Sequence, residues 1–504
     1  MLGSVCTYAF PTVMAEPQDT LVLWVMDDGA NSTNTLKSVT ESFTEETGIP
    51  VDVRFWNWGD AYDKMRLTLA QNPANHADVE MPDVVQLGSS WVPFFAQNGL
   101  IDPIDSVLSQ LVDVSRFLPE SMKDSRIGKG AQSYSLPWFL DVRGFFVNAK
   151  VWNELGLKEN DIDSFSKFHQ IIRKIDQSKI KNSVGTVVSP FEFGIKSDWT
   201  AHQQMAPILW SFGGDFVKES GNKYCSALTD SATLFGVNQY LNFFWELELF
   251  PYALQDNSIQ GTNRFVNSEI AIYYGTSELI RKLELDGEVG GLKGSPLAND
   301  GIAVVATPQG VGPAVTFVGG SHLALPKYGN PRRKKLAQTL VSYLLRSDVM
   351  DFYSSHIGFL PADKNVMQKW SKDPRYSRLI EGLNKNGRSF INIPEWTQVE
   401  GAINAMVGNI GYYRVQHPTE SPESVASFVL YAHEQINEIL DCKETFDRTE
   451  LLRKIQLELR KHVIEKPEEI QKSAGISLRY RLIVASIICF IILVITVVKH
   501  YCKR

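Results

Sequence analysis

The stretch TLVLWVMDDGANSTNTLKSVTESFTEETGIPVDVRF at residues 20–55 decides the fold class of this chain. Six of its first seven residues are apolar, which predicts a buried strand that ends at an Asp-Asp-Gly turn. Apolar side chains then recur at helical spacing as far as Gly48, and residues 51–55 alternate as a second strand. A third apolar strand follows at residues 82–87. Buried strands that alternate with helices predict an α/β fold with a parallel sheet covered on both faces.

The same alternation restarts after residue 140, so a second α/β unit is expected. The chain of 504 residues is long enough to bury more than one hydrophobic core. The further strands are predicted at residues 141–148, 269–274, 302–306 and 316–325, and the further helices at residues 165–175, 232–247, 336–345 and 425–440.

Composition excludes several classes of protein. The net charge of −7 is mild for this length, which argues against a nucleic-acid partner. No hydrolase or phosphate-loop motif occurs, and the nine histidines lack metal-ligand spacing, so we expect no enzyme, metal or cofactor. The five cysteines form no CxxC pair, which disfavours both a disulfide framework and a zinc knuckle. The paired acids Asp27 and Asp28 could serve a glycosidase, but neighbouring acids more often occupy a solvated turn.

The sequence also predicts the roles of the two ends of the chain. The uncharged run LIVASIICFIILVITVV at residues 482–498 predicts a transmembrane helix, with a buried core helix as the alternative. The charged residues 441–481 predict a helical stalk before it, and residues 499–504 form a short tail. Residues 1–19 lack a basic region, so they are either a truncated signal segment or an untargeted terminus.

Five segments, taken in order, resemble the sugar-binding family 1 of the extracellular solute-binding proteins of ABC importers. Each motif is weak alone, but their order and spacing over about residues 20–435 are specific. The segments are LVLWVMDDG at 21–29, PDVVQLGSSWVPFFAQNGLIDPID at 82–105, YSLPWFLDVRGFFVNAKVWNELGL at 134–157, FVNSEIAIYYGTSEL at 265–279 and TFVGGSHLALPK at 316–327.

The resemblance implies a two-lobe, periplasmic-binding-protein-like fold of class II, in which strand crossovers act as a hinge and the ligand lies between the lobes. Mapped onto this chain, the first lobe is residues 20–139 plus 320–355. The second lobe is residues 140–318 plus 356–440. The crossovers are expected near residues 139–143, 315–321 and 352–358.

A carbohydrate site needs flat aromatic faces and a few planar hydrogen-bonding groups, placed at the carboxyl ends of strands. Trp58, Trp138 and Trp199 are the best candidate platforms, because they occupy loops that follow or join strands. Asp141 and Arg143 also admit a structural role, as an ion pair at the hinge. The predicted ligand-binding residues are Asn57, Trp58, Asp60, Ser90, Trp91, Trp138, Asp141, Arg143, Trp199, Trp210, Tyr274, Gly319, Gly320, Ser321 and Trp396.

The resemblance implies an extracytoplasmic receptor that delivers a sugar or oligosaccharide to the permease of an ABC importer. The alternative is an anchored sensor that reports ligand occupancy to a separate signalling protein. With the predicted span at residues 482–498, the expected localisation is the cell membrane. The protein would be single-pass, held in the lipid bilayer, with its globular part in the periplasm or outside the cell.

Overall fold

The computed structural model describes residues 20–29, 31–71, 81–107, 112–195, 198–245 and 257–461. The predicted signal segment, membrane helix and tail lie outside these residues. Among the helices that the structure describes, none is both long enough and apolar enough to cross a membrane.

The strands form two main sheets, of six and four strands, and two small ribbons. The strands are β1 (Leu21–Met26), β2 (Val51–Trp56), β3 (Val84–Gly88), β4 (Ser135–Leu140), β5 (Arg143–Asn148), β6 (Ser189–Glu192), β7 (Val217–Ser220), β8 (Lys223–Ser226), β9 (Ile270–Thr276), β10 (Ile302–Val305), β11 (Thr316–Phe317), β12 (Ser321–Ala324), β13 (Leu360–Pro361) and β14 (Gly387–Arg388).

Helices surround both sheets. They are α1 (Ser32–Thr47), α2 (Trp58–Leu69), α3 (Val92–Gln97), α4 (Pro119–Lys123), α5 (Ala149–Glu154), α6 (Phe165–Ser178), α7 (Ala201–Ser211), α8 (Ser231–Trp245), α9 (Ser258–Val266), α10 (Glu278–Lys282), α11 (Pro296–Asp300), α12 (Pro331–Leu344), α13 (Ser347–Ile357), α14 (Lys364–Trp370), α15 (Pro374–Asn386), α16 (Trp396–Gln416), α17 (Ala426–Ile439) and α18 (Arg448–Arg460).

The first sheet has the strand order β13-β4-β12-β3-β1-β2. In β1, Leu23 and Val25 pack into one core while Val22 and Trp24 pack into the other, so both faces of the sheet are covered as the apolar sequence predicts. The prediction of a parallel sheet holds only for β2, β1 and β3. The strand β12 runs antiparallel to both of its neighbours, because the chain enters it from the other lobe.

The second sheet has the order β10-β5-β9-β6 and is also mixed. Only β6 and β9 are parallel, whereas β5 is antiparallel to both β9 and β10. Helices α6, α7, α8, α16 and α17 contribute to one large core on this side of the molecule. The chain therefore forms two α/β lobes, each built around its own sheet.

Two adjacent crossovers join the lobes, at the first two places that the resemblance implies. β4 passes into β5 at residues 141–142, and β11 passes into β12 at residues 318–320. Asp141 and Gly319 exchange backbone hydrogen bonds of 3.2 and 2.8 Å, so the two crossovers run side by side. Gly320 has φ 155°, and a Cβ there would lie 2.5 Å from the carbonyl oxygen of Phe139. Only glycine fits so close an approach of two backbones.

The third crossover differs from the prediction of residues 352–358. That segment largely lies within α13, which packs on α1 of the first lobe. The next strand, β13, still pairs with β4 in the first sheet. After β13, α15 is the helix that packs on β10 and β11 of the second lobe, so the chain crosses between Pro361 and Pro374. The lobe boundary at residue 355 is corrected accordingly.

The first part of the predicted stalk is packed on the second lobe. In α18, Ile455 and Leu459 are at most 1% exposed, and the Asn238 side chain donates to the carbonyl oxygen of Glu458 at 3.0 Å. A free stalk would leave this apolar stripe in water. The structure therefore corrects the prediction for residues 448–460, and the rest of the predicted stalk beyond residue 461 lies outside the described residues.

A disulfide bond joins Cys225 in β8 to Cys442, which follows α17. The sequence disfavours a disulfide framework, so this bond is a correction. The two cysteines are 217 residues apart, and no local spacing marks them as a pair. Only the packing of α17 beside β8 brings them together.

Candidate functional site

The candidate site is a cleft between the two sheets, with a volume of about 770 Å³. Turns after β1 and β3 form one wall, the crossovers form the floor, and segments around α7, α9 and β9 form the other wall. Ten of the predicted ligand-binding residues line this cleft. They are Trp58, Ser90, Trp91, Asp141, Arg143, Trp199, Tyr274, Gly319, Gly320 and Ser321.

The first wall is built around Asp28, which directly follows the buried strand β1. Its carboxylate accepts hydrogen bonds from the Trp58 indole at 3.2 Å and from the Gln86 amide at 2.9 Å. Gln86 in β3 also donates to the hydroxyl of Ser321 at 2.6 Å. Ser321 begins the neighbouring strand β12, which follows the second crossover. The rings of Trp58 and Trp91 meet edge to face with centroids 5.3 Å apart. These hydrogen bonds fix the orientation of an aromatic pair at the cleft.

The floor of the cleft carries a buried charge pair. Arg143 lies 3.3 Å from Asp141, so the hinge ion pair weighed from the sequence is present. The second carboxylate oxygen of Asp141 and the hydroxyl of Tyr274 are both buried and have no hydrogen-bond partner among the described residues. Because buried polar groups are normally satisfied, these two atoms are available to hydrogen-bond a molecule that enters the cleft.

The second wall presents Trp199, whose side chain is 52% exposed. Its loop is fixed by Asp198, which accepts from the backbone and hydroxyl of Thr200 at 2.7 and 2.8 Å. The carbonyl oxygen of Trp199 accepts from the Asn404 amide at 2.9 Å. An exposed indole on a loop held by these hydrogen bonds is suited to stack on a ligand.

The two lobes also touch directly at the rims of the cleft. Ser389 donates to the buried carboxyl of Asp124 at 2.8 Å, and the backbone of Gly128 donates to the carbonyl of Asn392 at 2.5 Å. On the opposite side, the backbone of Asn31 donates to the carbonyl of Val289 at 2.8 Å. Hydrogen bonds therefore join the two lobes at both rims of the cleft.

Five predicted residues lie outside the cleft. Trp138, the third proposed platform, is 1% exposed and stacks on Tyr353 in the core of the first lobe, because its position in β4 points it away from the ligand side. Asn57 accepts a hydrogen bond from the backbone of Asp60 and so caps α2. Trp210 and Trp396 are also buried, in the core of the second lobe.

The sequence missed several polar residues of the cleft. They include Asp28, Asp124, His202, Glu278 and Glu400. For Asp28 a signal existed, since it follows a buried strand, but its pairing with Asp27 favoured a solvated turn. Asp28 is instead 3% exposed, because the side chains of Trp58 and Gln86 close over it. Glu278 lies at the end of the segment 265–279 that carries the family resemblance, but nothing in that segment marks it as a site residue, and Asp124, His202 and Glu400 lie outside the five segments.

Asp124 predicts a pH dependence of stability. Burial raises the pKa of its carboxyl to about 7, and hydrogen bonds from Ser389 and Asn392 lower it by less. The folded state therefore holds this proton more tightly than the unfolded chain. The protonated carboxyl of Asp124 therefore stabilises the folded state. Its contribution is complete below about pH 4 and is lost as the pH rises through about 7.

We expect the wild type to lose about 2 kcal/mol of unfolding free energy between pH 5 and 7 through this group alone. Urea unfolding at pH 5, 6, 7 and 8 measures how the unfolding free energy changes with pH. Asp124→Asn should lack the part of that change that this group causes. Ser389→Ala serves as the control, because it keeps the Asp124 carboxyl and should keep the change of unfolding free energy with pH. Parallel pH profiles for wild type and Asp124→Asn would show that Asp124 ionises normally in the folded protein.

Known proteins resemble this chain in sequence and in structure. The family model for bacterial extracellular solute-binding proteins matches residues 29–351. The diacetylchitobiose binding protein DasA of Streptomyces coelicolor is 23% identical over 384 residues, which cover 76% of this chain and 82% of that protein.

Solved structures share the fold. A solute binding protein of an ABC transporter from Thermotoga lettingae, bound with alpha-D-tagatose, is 21% identical with a TM-score of 0.67. Maltose-bound MalE3 of T. maritima is 17% identical with a TM-score of 0.68. Each alignment covers 84% of this chain and 100% of the other. The predicted two-lobe α/β fold is confirmed.

The predicted localisation is corrected by these findings. The matched family is extracellular, and no helix among the described residues can span a membrane; the predicted span at residues 482–498 lies outside those residues. The family model matches well over half of the chain. The chain therefore belongs to the family of bacterial extracellular solute-binding proteins.

Proposed function

We propose that this protein is a receptor that binds a sugar or oligosaccharide in the cleft between its lobes and delivers it to an ABC-type importer by lobe closure. The observation that carries the proposal is the combination of aromatic faces and buried polar atoms without partners in one cleft. Trp58, Trp91 and Trp199 supply flat apolar surfaces on both walls. Asp141 and Tyr274 supply polar atoms that a sugar hydroxyl can satisfy.

Relatives support a carbohydrate as the ligand. DasA is named for diacetylchitobiose, and the two structural neighbours described above hold tagatose and maltose, although a further neighbour, UgpB of Mycobacterium tuberculosis, was solved with glycerophosphocholine. A further neighbour, the GacH receptor of Streptomyces glaucescens, was solved with acarbose and has a TM-score of 0.66. The four different saccharides of this relative and these three neighbours support a carbohydrate ligand and do not identify the individual sugar.

The hinge supports closure as the mechanism. The paired crossovers at Asp141 and Gly319 are short, and Gly320 has no side chain to resist backbone rotation. The rim contacts made by Asp124 and Asn31 reach from one lobe to the other. They would form as the cleft shuts over its ligand.

Binding by the platforms can be tested on single variants. We expect Trp199→Ala and Trp58→Ala each to weaken sugar binding by on the order of 2 kcal/mol, roughly thirtyfold in Kd, because a stacked indole buries a large apolar face. A thermal-shift screen of mono- and oligosaccharides first identifies a binder, and calorimetry then gives Kd for each variant.

The control is Trp370→Ala, which removes a half-buried indole outside the cleft. Unchanged Kd in both cleft variants would reject the platforms. If no saccharide shifts the melting temperature at all, the carbohydrate proposal itself fails.

An anchored sensor would bind the ligand in the same way as an importer receptor. The two functions differ in the partner of the closed, liganded receptor, which is a permease in one case and a signalling protein in the other. Deletion of the protein should abolish uptake of the labelled sugar if the protein serves an importer. If uptake persists and only a transcriptional response to the sugar is lost, the receptor serves signalling instead.

A further inference from the structure

A histidine at the start of α7 links several parts of the second wall of the cleft. His202 in α7 and Glu400 in α16 both line the cleft. The imidazole of His202 is 1% exposed and packs against the ring of Phe390, with centroids 5.0 Å apart. Asn404, one turn of α16 beyond Glu400, contacts both His202 and the loop of Trp199. Trp199, Asn404, His202 and Glu400 thus form one connected group, the His202 network.

The backbone fixes which way the Asn404 amide points. The backbone N–H of His202 donates to Oδ1 of Asn404 at 2.8 Å, and Nδ2 of Asn404 donates to the carbonyl oxygen of Trp199 at 2.9 Å. A backbone N–H can only donate and a carbonyl oxygen can only accept, so a flipped amide would lose both hydrogen bonds. Oδ1 of Asn404 therefore faces His202.

That orientation decides the state of the imidazole. Nδ1 of His202 lies 3.1 Å from the same Oδ1 of Asn404, which is an acceptor, so Nδ1 must carry a hydrogen. In a neutral ring the other nitrogen, Nε2, then bears a lone pair. Nε2 lies 3.3 Å from a carboxylate oxygen of Glu400 and has no hydrogen-bond partner among the described residues. A lone pair repels the carboxylate at that distance, whereas a proton on Nε2 turns the contact into an ion pair.

The titratable groups around this pair come from both lobes. The charge of Glu400 acts on the phenol of Tyr62, which belongs to α2 in the first lobe. Asp198, on the loop that leads into α7, already accepts hydrogen bonds from the backbone and hydroxyl of Thr200. Among the described residues, His202 is the basic side chain within ion-pair distance of Glu400. The balance of charge on this wall therefore depends on the proton of His202.

We propose that His202 is a positioning residue for the ligand and that sugar binding is coupled to the proton on its ring. With the proton in place, the imidazolium holds Glu400 and Asn404 together, and Asn404 holds the loop that carries Trp199. When the proton leaves, Nε2 and the Glu400 carboxylate repel each other, and the indole loses part of its support. The inference rests on the proposed carbohydrate function and adds a regulation of the same site.

The first measurement is the affinity for neutral sugars as a function of pH. Maltose, D-tagatose and N,N′-diacetylchitobiose have no group that titrates near neutral pH, so any pH dependence belongs to the protein. In calorimetry on the full chain between about pH 5 and 9, we expect the Kd of each of these sugars that binds to rise on the order of fivefold as His202 loses its proton. By linkage, binding should take up protons near the midpoint, and calorimetry in buffers of different ionisation enthalpy measures that uptake.

Two variants assign the effect to the ion pair and to the indole. In Glu400→Gln the side-chain amide can donate to the neutral ring, so the affinity should no longer fall as the pH rises. Trp199→Ala should also lose the pH dependence, because the His202 network acts through that indole. The control is Glu420→Gln, which makes the same change in a His–Glu pair outside the cleft, where His417 lies 3.6 Å from Glu420. It should keep the wild-type pH profile.

The protonation of the ring can be measured without a sugar. In nitrogen NMR spectra of the full chain labelled at histidine, both ring nitrogens of His202 should carry hydrogen at about pH 6. Loss of these resonances in His202→Gln assigns them. In Glu400→Gln, Nε2 should lose its hydrogen at a lower pH than in wild type, because the attraction of the carboxylate is gone.

Several results would overturn the proposal and leave the carbohydrate function standing. These are a neutral His202 ring at about pH 6, a Kd of the wild type that does not change with pH, and a pH dependence that survives Trp199→Ala. A dependence that survives Glu400→Gln and disappears in Asp124→Asn would assign the effect to the rim of the cleft instead. If no sugar in the thermal-shift screen binds, the proposed function and its coupling to the proton fail together, while the NMR spectra alone decide the state of the ring.

Discussion

The Cys225→Ser/Cys442→Ser double variant is expected to lose about 5 kcal/mol of unfolding free energy. The bond closes a loop of 217 residues, and in the chain-entropy model the cross-link restricts the unfolded chain more as the loop lengthens. The loss should appear as a lower midpoint of urea unfolding, followed by circular dichroism under oxidising conditions.

The same bond anchors the C-terminal part of the second lobe. Cys442 lies between α17 and α18, and α18 is otherwise held by Ile455, Leu459 and the Asn238 side chain. Limited proteolysis of the variant should therefore cut near α18 before it cuts the first lobe. Wild type treated with a reductant serves as the control, because it removes the bond without a substitution. A midpoint that moves in neither sample would mean that the bond contributes nothing to stability.

Trp138→Ala should destabilise the protein by about 3–5 kcal/mol, with its effect on the fold and not on the ligand. The indole stacks on Tyr353 with ring centroids 4.7 Å apart and planes within 5° of parallel. Truncation leaves a cavity in a packed core, and the neighbouring Phe139 ring cannot fill it without moving. Urea unfolding of the purified variant measures the loss.

Two matched variants sharpen this result. Trp138→Phe keeps a ring against Tyr353 and should cost less. Trp199→Ala, on an indole that is half exposed, should change stability by no more than about 0.5 kcal/mol. If Trp138→Ala melts like wild type and binds sugar more weakly, the indole is a ligand platform after all, as its place beside the first crossover predicts.

The sequence alone determined the architecture of this protein. Strand and helix periods are local properties of the chain, so the stretch at residues 20–55 and its later counterparts predict two α/β units without knowledge of their neighbours. The family resemblance implies a crossover at residues 315–321, and the glycines at 319 and 320 suit it because two backbones approach closely there. Trp58 and Trp199 are predicted at the cleft because they follow or join strands, and both residues line it, since the ends of strands are where the cleft opens.

Only the tertiary structure decided which of those residues face the cleft and which are buried. Trp138 and Trp199 are both predicted as platforms, yet Trp138 lies within β4 and is covered by Tyr353, whereas Trp199 lies in a loop and is 52% exposed. Asp28 is buried because Gln86, 58 residues away, closes over it, and Cys225 meets Cys442 through the packing of α17. Such contacts join residues far apart in the chain. Burial, pairing and charge balance depend on these partners, and a local pattern carries no information about them.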